Sequence, residues 1–258
     1  MNSEIFQLLS LATYGNAYLE EKLYDKFYPK HVAFKFCQSV KFVDLQKNSE
    51  KWLEIPYASD PISWLDKLKN YGVKQLRTCY LSFNDEKKCD WLLEVVNSNY
   101  SDFWKAKWEW EHDNTCRVTY VRVQKSIFHP QKYIPKIPSL TEMKSEFEMI
   151  LKEISSFSHK NGYPNFGNCF DRGLKYLSGG PSHDLRGSEI FPIDYMPEEC
   201  NQLIYACLSS WVFGGMGSWN DIFFPDPKIQ KEYEALSQKL FSSIYTALLV
   251  ASNPFPRI

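Results

Sequence analysis

The chain's 258 residues, 44% hydrophobic and 24% charged, are enough for one large or two small globular domains with a real core. A formal net charge of −1 argues against a general attraction to nucleic acid or an anionic membrane, and no apolar run approaches the roughly 18 residues that cross a bilayer. Its seven cysteines are odd in number and never at C-x-x-C spacing, which argues against a disulfide framework or a zinc knuckle. With no basic N-terminal region leading into a long apolar run, the composition points to a reduced, cytoplasmic protein whose cysteines are small core residues.

Ile5, Leu8, Leu9, Ala12, Leu19 and Leu23 recur at helical spacing, so a helix is predicted over residues 3–27, capped by Ser3 and ended by Pro29. Gly15-Asn16 interrupts it and marks a kink or a close approach. In residues 31–45, Phe34, Phe36, Val40 and Phe42 alternate with polar neighbours, which fits one or two strands. Asp60 caps a second helix with Pro61 at its first position, a stripe of Trp64, Leu65, Leu68 and Tyr71, and Gly72 as its stop. Residues 76–83 read as a strand, 84–88 as a turn, and 89–96 as strand or helix.

The clearest hairpin pairs 104–111 with 115–124 about His112-Asp113-Asn114. Trp104, Ala106, Trp108 and Trp110 fall on one face, and Lys105, Lys107, Glu109 and Glu111 on the other. Residues 1–128 are therefore read as a mostly antiparallel sheet with helices on one face.

Residues 129–138, with Pro130, Pro135 and Pro138, make the best linker. Beyond it the pattern is helical. Ser139 and Glu142 form a capping box, and Met143, Phe147, Ile150, Leu151, Ile154 and Phe157 draw a stripe that stops before Asn161-Gly162. A short helix is expected over 166–176, a polar loop over 179–187 and an extended stretch over 190–195. Pro197 opens a helix striped by Leu203, Ile204, Cys207, Leu208, Trp211 and Val212. Asp226-Pro227 opens the last, with Ile229, Tyr233, Leu236, Leu240, Ile244, Leu248 and Ala251 on its apolar side. The fold expected is α+β: an antiparallel sheet with helices in the N-terminal half, and a mainly helical C-terminal half, 139–258, packed on it. The two halves are separate domains or one continuous domain. Residues 1–138 carry 20 Lys+Arg against 17 Asp+Glu, and 139–258 carry 10 against 14, so the second half leans towards a cationic partner.

Between the last two helices lies the loop Phe213, Gly214, Gly215, Met216, Gly217, Ser218, Trp219, Asn220 and Asp221. Its glycines imply backbone angles that side chains disfavour. A phosphate-cradling loop requires a Gly-Lys-Ser/Thr that is absent, and a dinucleotide loop requires a preceding strand and a glycine where Asn220 stands. The loop is instead expected to be a structural corner, with Gly214 as the left-handed stop of the preceding helix. It should join two packed helices, 198–213 and 227–251, with Trp219 buried and Asn220 or Asp221 capping the turn.

Two other chemistries are open. Cys169, His183 and Asp184, or Asp194, make a possible cysteine hydrolase, although no local nucleophile motif supports it. The 104–111 ribbon is a possible base-stacking platform, against which its lysines point away from its tryptophans. The scattered histidines give no metal site and nothing calls for a cofactor.

Phe213-Gly-Gly-Met-Gly-Ser-Trp-Asn-Asp221, followed by Tyr233, Leu236, Ser237 and Asn253, resembles the C-terminal segment of a group of small bacterial proteins from toxin–immunity loci. The resemblance covers roughly residues 197–255. It implies a cytoplasmic, non-catalytic protein that sequesters a cognate toxin domain by stoichiometric binding, with no nucleic acid, membrane or cofactor involved. It leaves the oligomeric state open.

Overall fold

In the computed structural model, residues 3–23, 27–48, 51–83, 89–112, 114–180 and 188–258 are described, and their fold is α+β. The six strands of the sheet are β1 (Cys37–Lys47), β2 (Trp52–Ala58), β3 (Gln75–Leu81), β4 (Asp90–Val96), β5 (Tyr100–Trp110) and β6 (Cys116–Phe128). Their spatial order is β2-β1-β6-β5-β4-β3, and every pairing is antiparallel except that of β1 with β6. The sheet belongs to one compact unit, formed by residues 2–136, 190–195 and 255–258. A second, helical unit comprises 137–189 and 196–254, so the boundary falls within the proline-rich stretch.

In the sheet unit the expected hairpin register holds. Trp104 faces Arg122, Ala106 faces Tyr120 and Trp108 faces Val118, which puts the tryptophan row on one side of the pleat. That side is covered by α1 (Ser3–Leu19) and α2 (Pro61–Asn70). The indole of Trp64 stacks on Phe42 with ring centres 4.4 Å apart, and both belong to a core with Trp104, Tyr120, Leu8 and Leu65. Asp60 caps α2 in a reciprocal box with Ser63, and Pro61 opens it, as its sequence predicts.

The other side of the sheet carries a smaller cluster of Cys79, Leu81, Leu92 and Phe103. Residues 255–258 lie near it. Arg77 Nη1 donates to the Phe255 carbonyl (2.8 Å), Gln75 Nε2 donates to the Pro256 carbonyl (2.9 Å), and Arg257 pairs with the fully buried Glu94. A carboxylate so deeply buried is tolerable only with its charge partnered.

Two expectations are corrected, one pair of alternatives is resolved and one strand is added. The first helix ends at Leu19, because Glu21 adopts a left-handed φ of 58° and Lys22 N–H turns back to the Ala17 carbonyl at 2.8 Å. Of the two readings of Gly15-Asn16, the close approach holds: it is a docking point. A Cβ at Gly15 would lie 2.4 Å from Leu76 Cδ1, and the Asn16 amide pairs with both the N–H (2.7 Å) and the C=O (2.9 Å) of Leu76 on β3.

The strand β2 was not foreseen; it is an edge strand, mostly exposed and interrupted by Pro56, so it lacks a buried alternation to read. Residues 190–195 are not extended: Tyr195 N–H closes a turn onto the Pro192 carbonyl at 2.9 Å. The ambiguous stretch 89–96 resolves as the strand β4, and the expected turn at 84–88 lies outside the described residues.

The helical unit consists of α3 (Leu140–Lys160), α4 (Pro164–Leu177), α5 (Glu198–Ser209) and α6 (Pro227–Ala251). Each of α3 and α5 packs against both α4 and α6. The Ser139–Glu142 capping box starts α3, and the predicted stripes are buried, among them Phe147, Ile150, Leu203, Cys207, Leu240 and Ile244.

Candidate functional site

The loop between α5 and α6 is built from the inside outwards. Trp219 is fully buried and is the largest group that the loop contributes to the helical core. Its ring meets Phe166 and Phe170 edge-on, at 5.2 and 5.5 Å between centres, an arrangement favoured by the ring quadrupoles. Its indole Nε1 donates to Ser237 Oγ at 2.7 Å, and its carbonyl accepts the Tyr233 hydroxyl at 2.5 Å. Both partners project from α6, so the indole fixes the loop to that helix while every polar group on it is satisfied.

A second set of bonds holds the turn itself. Asp221 Oδ2 accepts the N–H groups of Gly217 (2.6 Å) and Ser218 (3.1 Å), and Ser218 Oγ donates to the Gly214 carbonyl at 3.3 Å. Ser218 and Asp221 thereby cap a short 3-10 turn, Trp219–Asp221, reciprocally. Gly217 has φ 81°, the left-handed region in which glycine is the least strained residue.

The preceding helix does not reach the loop as expected. α5 stops at Ser209, with Ser210 (φ −91°, ψ 1°) as its cap, and Gly214 is not left-handed. The Val212 carbonyl accepts the Trp219 N–H at 3.1 Å and so already belongs to the loop. Trp211 and Val212 therefore lie beyond the helix whose stripe they were predicted to continue.

What the loop leaves outside is apolar. Met216 at its tip is fully exposed, and Phe223 is exposed beyond it. Phe213 meets Phe241 edge-on at 5.2 Å and Trp211 at 5.6 Å, and Phe241 lies 4.7 Å from Tyr245. Beside this aromatic row is a groove of 420 Å³ lined by Phe213, Asn220, Tyr233, Glu234, Gln238 and Phe241, with Ser237 at its base. Burial pushes the Tyr233 phenol above its ordinary range, a shift that the Ser237 hydrogen bond opposes. The hydroxyl therefore stays a donor to the loop.

Cys169 is half-exposed on α4 and its thiol donates to the Asn165 carbonyl of its own helix at 3.4 Å. His183 and Asp184 lie outside the described residues. Asp194 is exposed and belongs to the sheet unit, whereas Cys169 belongs to the helical one. In the ribbon, Trp104 is core, Trp108 is half-buried, and Trp110 is 52% exposed and stacked on Trp108 at 5.7 Å. Lys105 and Lys107 are engaged by Asp90 and Glu54, each at 2.7 Å.

One constellation was not foreseen. Asp171 on α4 accepts Ser155 Oγ at 2.5 Å on one oxygen and contacts His159 Nε2 at 2.9 Å on the other. Burial pushes its carboxyl up, but Ser155 and His159 outweigh that and hold it below the usual range. The order matters chemically. A serine nucleophile needs the imidazole against its hydroxyl, and here the carboxylate intervenes, so the group ties α3 to α4. Periodicity could not have found it, because Asp171 is a neighbour of Ser155 and His159 only once the two helices pack. Among the described residues, no three His, Cys, Asp or Glu side chains converge as a metal site requires. No protein-family model matches the chain, and comparison with curated proteins and with solved structures likewise finds no match.

Proposed function

We propose that the chain is a non-catalytic binding protein of the immunity type, which sequesters a bacterial toxin domain through the 213–221 loop and the aromatic groove beside it. The observation that carries this reading is the contrast within one loop. Trp219 and Asp221 hold its backbone from below, while Met216 stands fully exposed at its tip.

A loop ordered before it binds avoids part of the entropy that association costs. Methionine and aromatic side chains are the types enriched at protein interfaces, and clustered apolar exposure of this kind is unusual on a surface with no partner. Phe213, Phe241 and Trp211 form such a cluster, Met216 stands exposed in the same loop, and Glu234 gives the groove one acidic wall. Stoichiometric binding of this sort requires neither cofactor nor metal. The cytoplasmic setting belongs to the same proposal; of the described residues, no helix is long and apolar enough to cross a membrane.

The test is to look for a gene beside this chain's own that encodes a protein with a toxin-like C-terminal domain, and to co-purify the chain with that domain. Co-elution as a defined complex, together with protection of cells that express the domain, is the expected result. A toxin domain that remains active and elutes separately in the presence of excess chain would contradict the proposal.

A further inference from the structure

We infer that Cys37 and Cys116 form a dithiol that a hydroperoxide converts into an intrachain disulfide joining β1 to β6. The inference is independent of the toxin-binding proposal and rests on the sheet unit alone.

The two residues are direct partners in the parallel β1/β6 register, and their sulfurs are already 3.4 Å apart. Bond formation therefore requires a local approach of two side chains and no rearrangement of the strands. Seven cysteines are free thiols, and no other thiol–thiol contact occurs among the described residues' hydrogen bonds.

The surroundings divide the roles. Cys37 is half-buried, and Gln7 Nε2 donates to its sulfur at 3.2 Å, a contact that favours negative charge there. Cys116 is fully buried, and its sulfur lies 3.3 Å from the Phe36 carbonyl, an acceptor that favours the protonated thiol. Burial pushes both thiols up: hydrogen bonds from Cys116 and Gln7 offset only part of the rise at Cys37, and Cys116 is pushed up to about 12. Cys37, the more accessible of the two, is thus the group that meets the oxidant, and Cys116 the one that resolves it.

In the first step the Cys37 thiolate attacks the terminal oxygen of the hydroperoxide. The O–O bond breaks, an alcohol or water leaves, and Cys37 becomes a sulfenic acid. In the second step Cys116 sulfur attacks Cys37 sulfur, the S–O bond breaks, and the oxygen leaves as water with the Cys116 proton. Two thiols lose two electrons and two protons, and the peroxide is reduced by the same two electrons.

The location gives the bond a structural consequence. Among the described residues β1 joins β2 to the other four strands through its pairing with β6. The cross-link would span 79 positions of sequence, closing a long loop and restricting the unfolded chain.

The experiment is brief exposure of the folded chain to hydrogen peroxide, followed by alkylation, non-reducing digestion and mass mapping. The expected product is a linked peptide pair containing Cys37 and Cys116, lighter than the two thiol peptides by two hydrogens, restored by dithiothreitol and absent when peroxide is added in urea. The linked form should melt at a higher temperature than the reduced form. In Cys116→Ser, Cys37 should accumulate as a dimedone-reactive sulfenic acid. Should burial of position 116 make that variant unstable, Cys37→Ser supplies the second arm, in which Cys116 should remain alkylatable only after unfolding. Recovery of Cys37 as sulfinic acid or a glutathione adduct in the wild type, with Cys116 still a thiol, would overturn the inference. So would preferential oxidation of Cys89 or Cys169.

Discussion

Trp219 and Met216, three positions apart in one loop, have opposite surroundings, and substitutions should separate them. Trp219→Ala removes a fully buried indole with its bond to Ser237, so a loss of about 3–5 kcal/mol is expected in urea unfolding. Met216 touches nothing that a truncation would expose, so Met216→Ala should alter stability by no more than about 0.5 kcal/mol. Gly217→Ala must place a side chain at φ 81° and should cost about 1 kcal/mol. An unfolding midpoint unchanged in Trp219→Ala would remove the loop's anchor from this account. The carboxyl of Asp171 is held below its ordinary 3.8, so its stabilisation is present above that pH and is lost as pH falls through the lowered value. The stability advantage of wild type over Asp171→Asn should therefore shrink below about pH 4, as acid titration of the two proteins would show.

At the scale of elements, the most informative contact is the one that reads as a defect in one dimension. Gly15-Asn16 looks like a flaw in an amphipathic helix. In three dimensions Gly15 lets α1 approach Leu76, and Asn16 completes both backbone hydrogen bonds of that residue on β3. Asn16→Ala should cost about 1–3 kcal/mol, because it strands a buried N–H and C=O on β3; the unfolding transition would report it. Helices with local signals were legible at once: the Asp60 cap and Pro61 start of α2, the Ser139–Glu142 box of α3, and the Asp226-Pro227 start of α6. Elements defined by tertiary context were not. β2 is a mostly exposed edge strand with no buried alternation to read, and α5 ends at Ser209, beyond which Val212 is bonded to Trp219 in the loop.

For the molecule as a whole, the α+β class followed from a change of periodicity across three prolines, and one change between the two compact units falls near residue 136. The contributions of residues 190–195 and 255–258 to the sheet unit were invisible, because they depend on hydrogen bonds from Ser10, Gln75 and Arg77 to backbone carbonyls far along the chain. The candidate site was legible in part. The loop announced itself through its glycines and tryptophans, and the burial of Trp219 and the cap from Asp221 were foreseen. The aromatic row was not, since Phe241 and Tyr245 meet Phe213 and Trp211 only when α6 packs beside the loop. The account's central claim is that this loop is a docking element held rigid from below and apolar above. Calorimetric titration of Met216→Ala with a toxin-like domain encoded beside this chain's gene, alongside urea unfolding of the same variant, tests it most directly. The prediction is a wild-type unfolding midpoint with affinity lower by about 30-fold, about 2 kcal/mol. Wild-type affinity in that variant would contradict the claim.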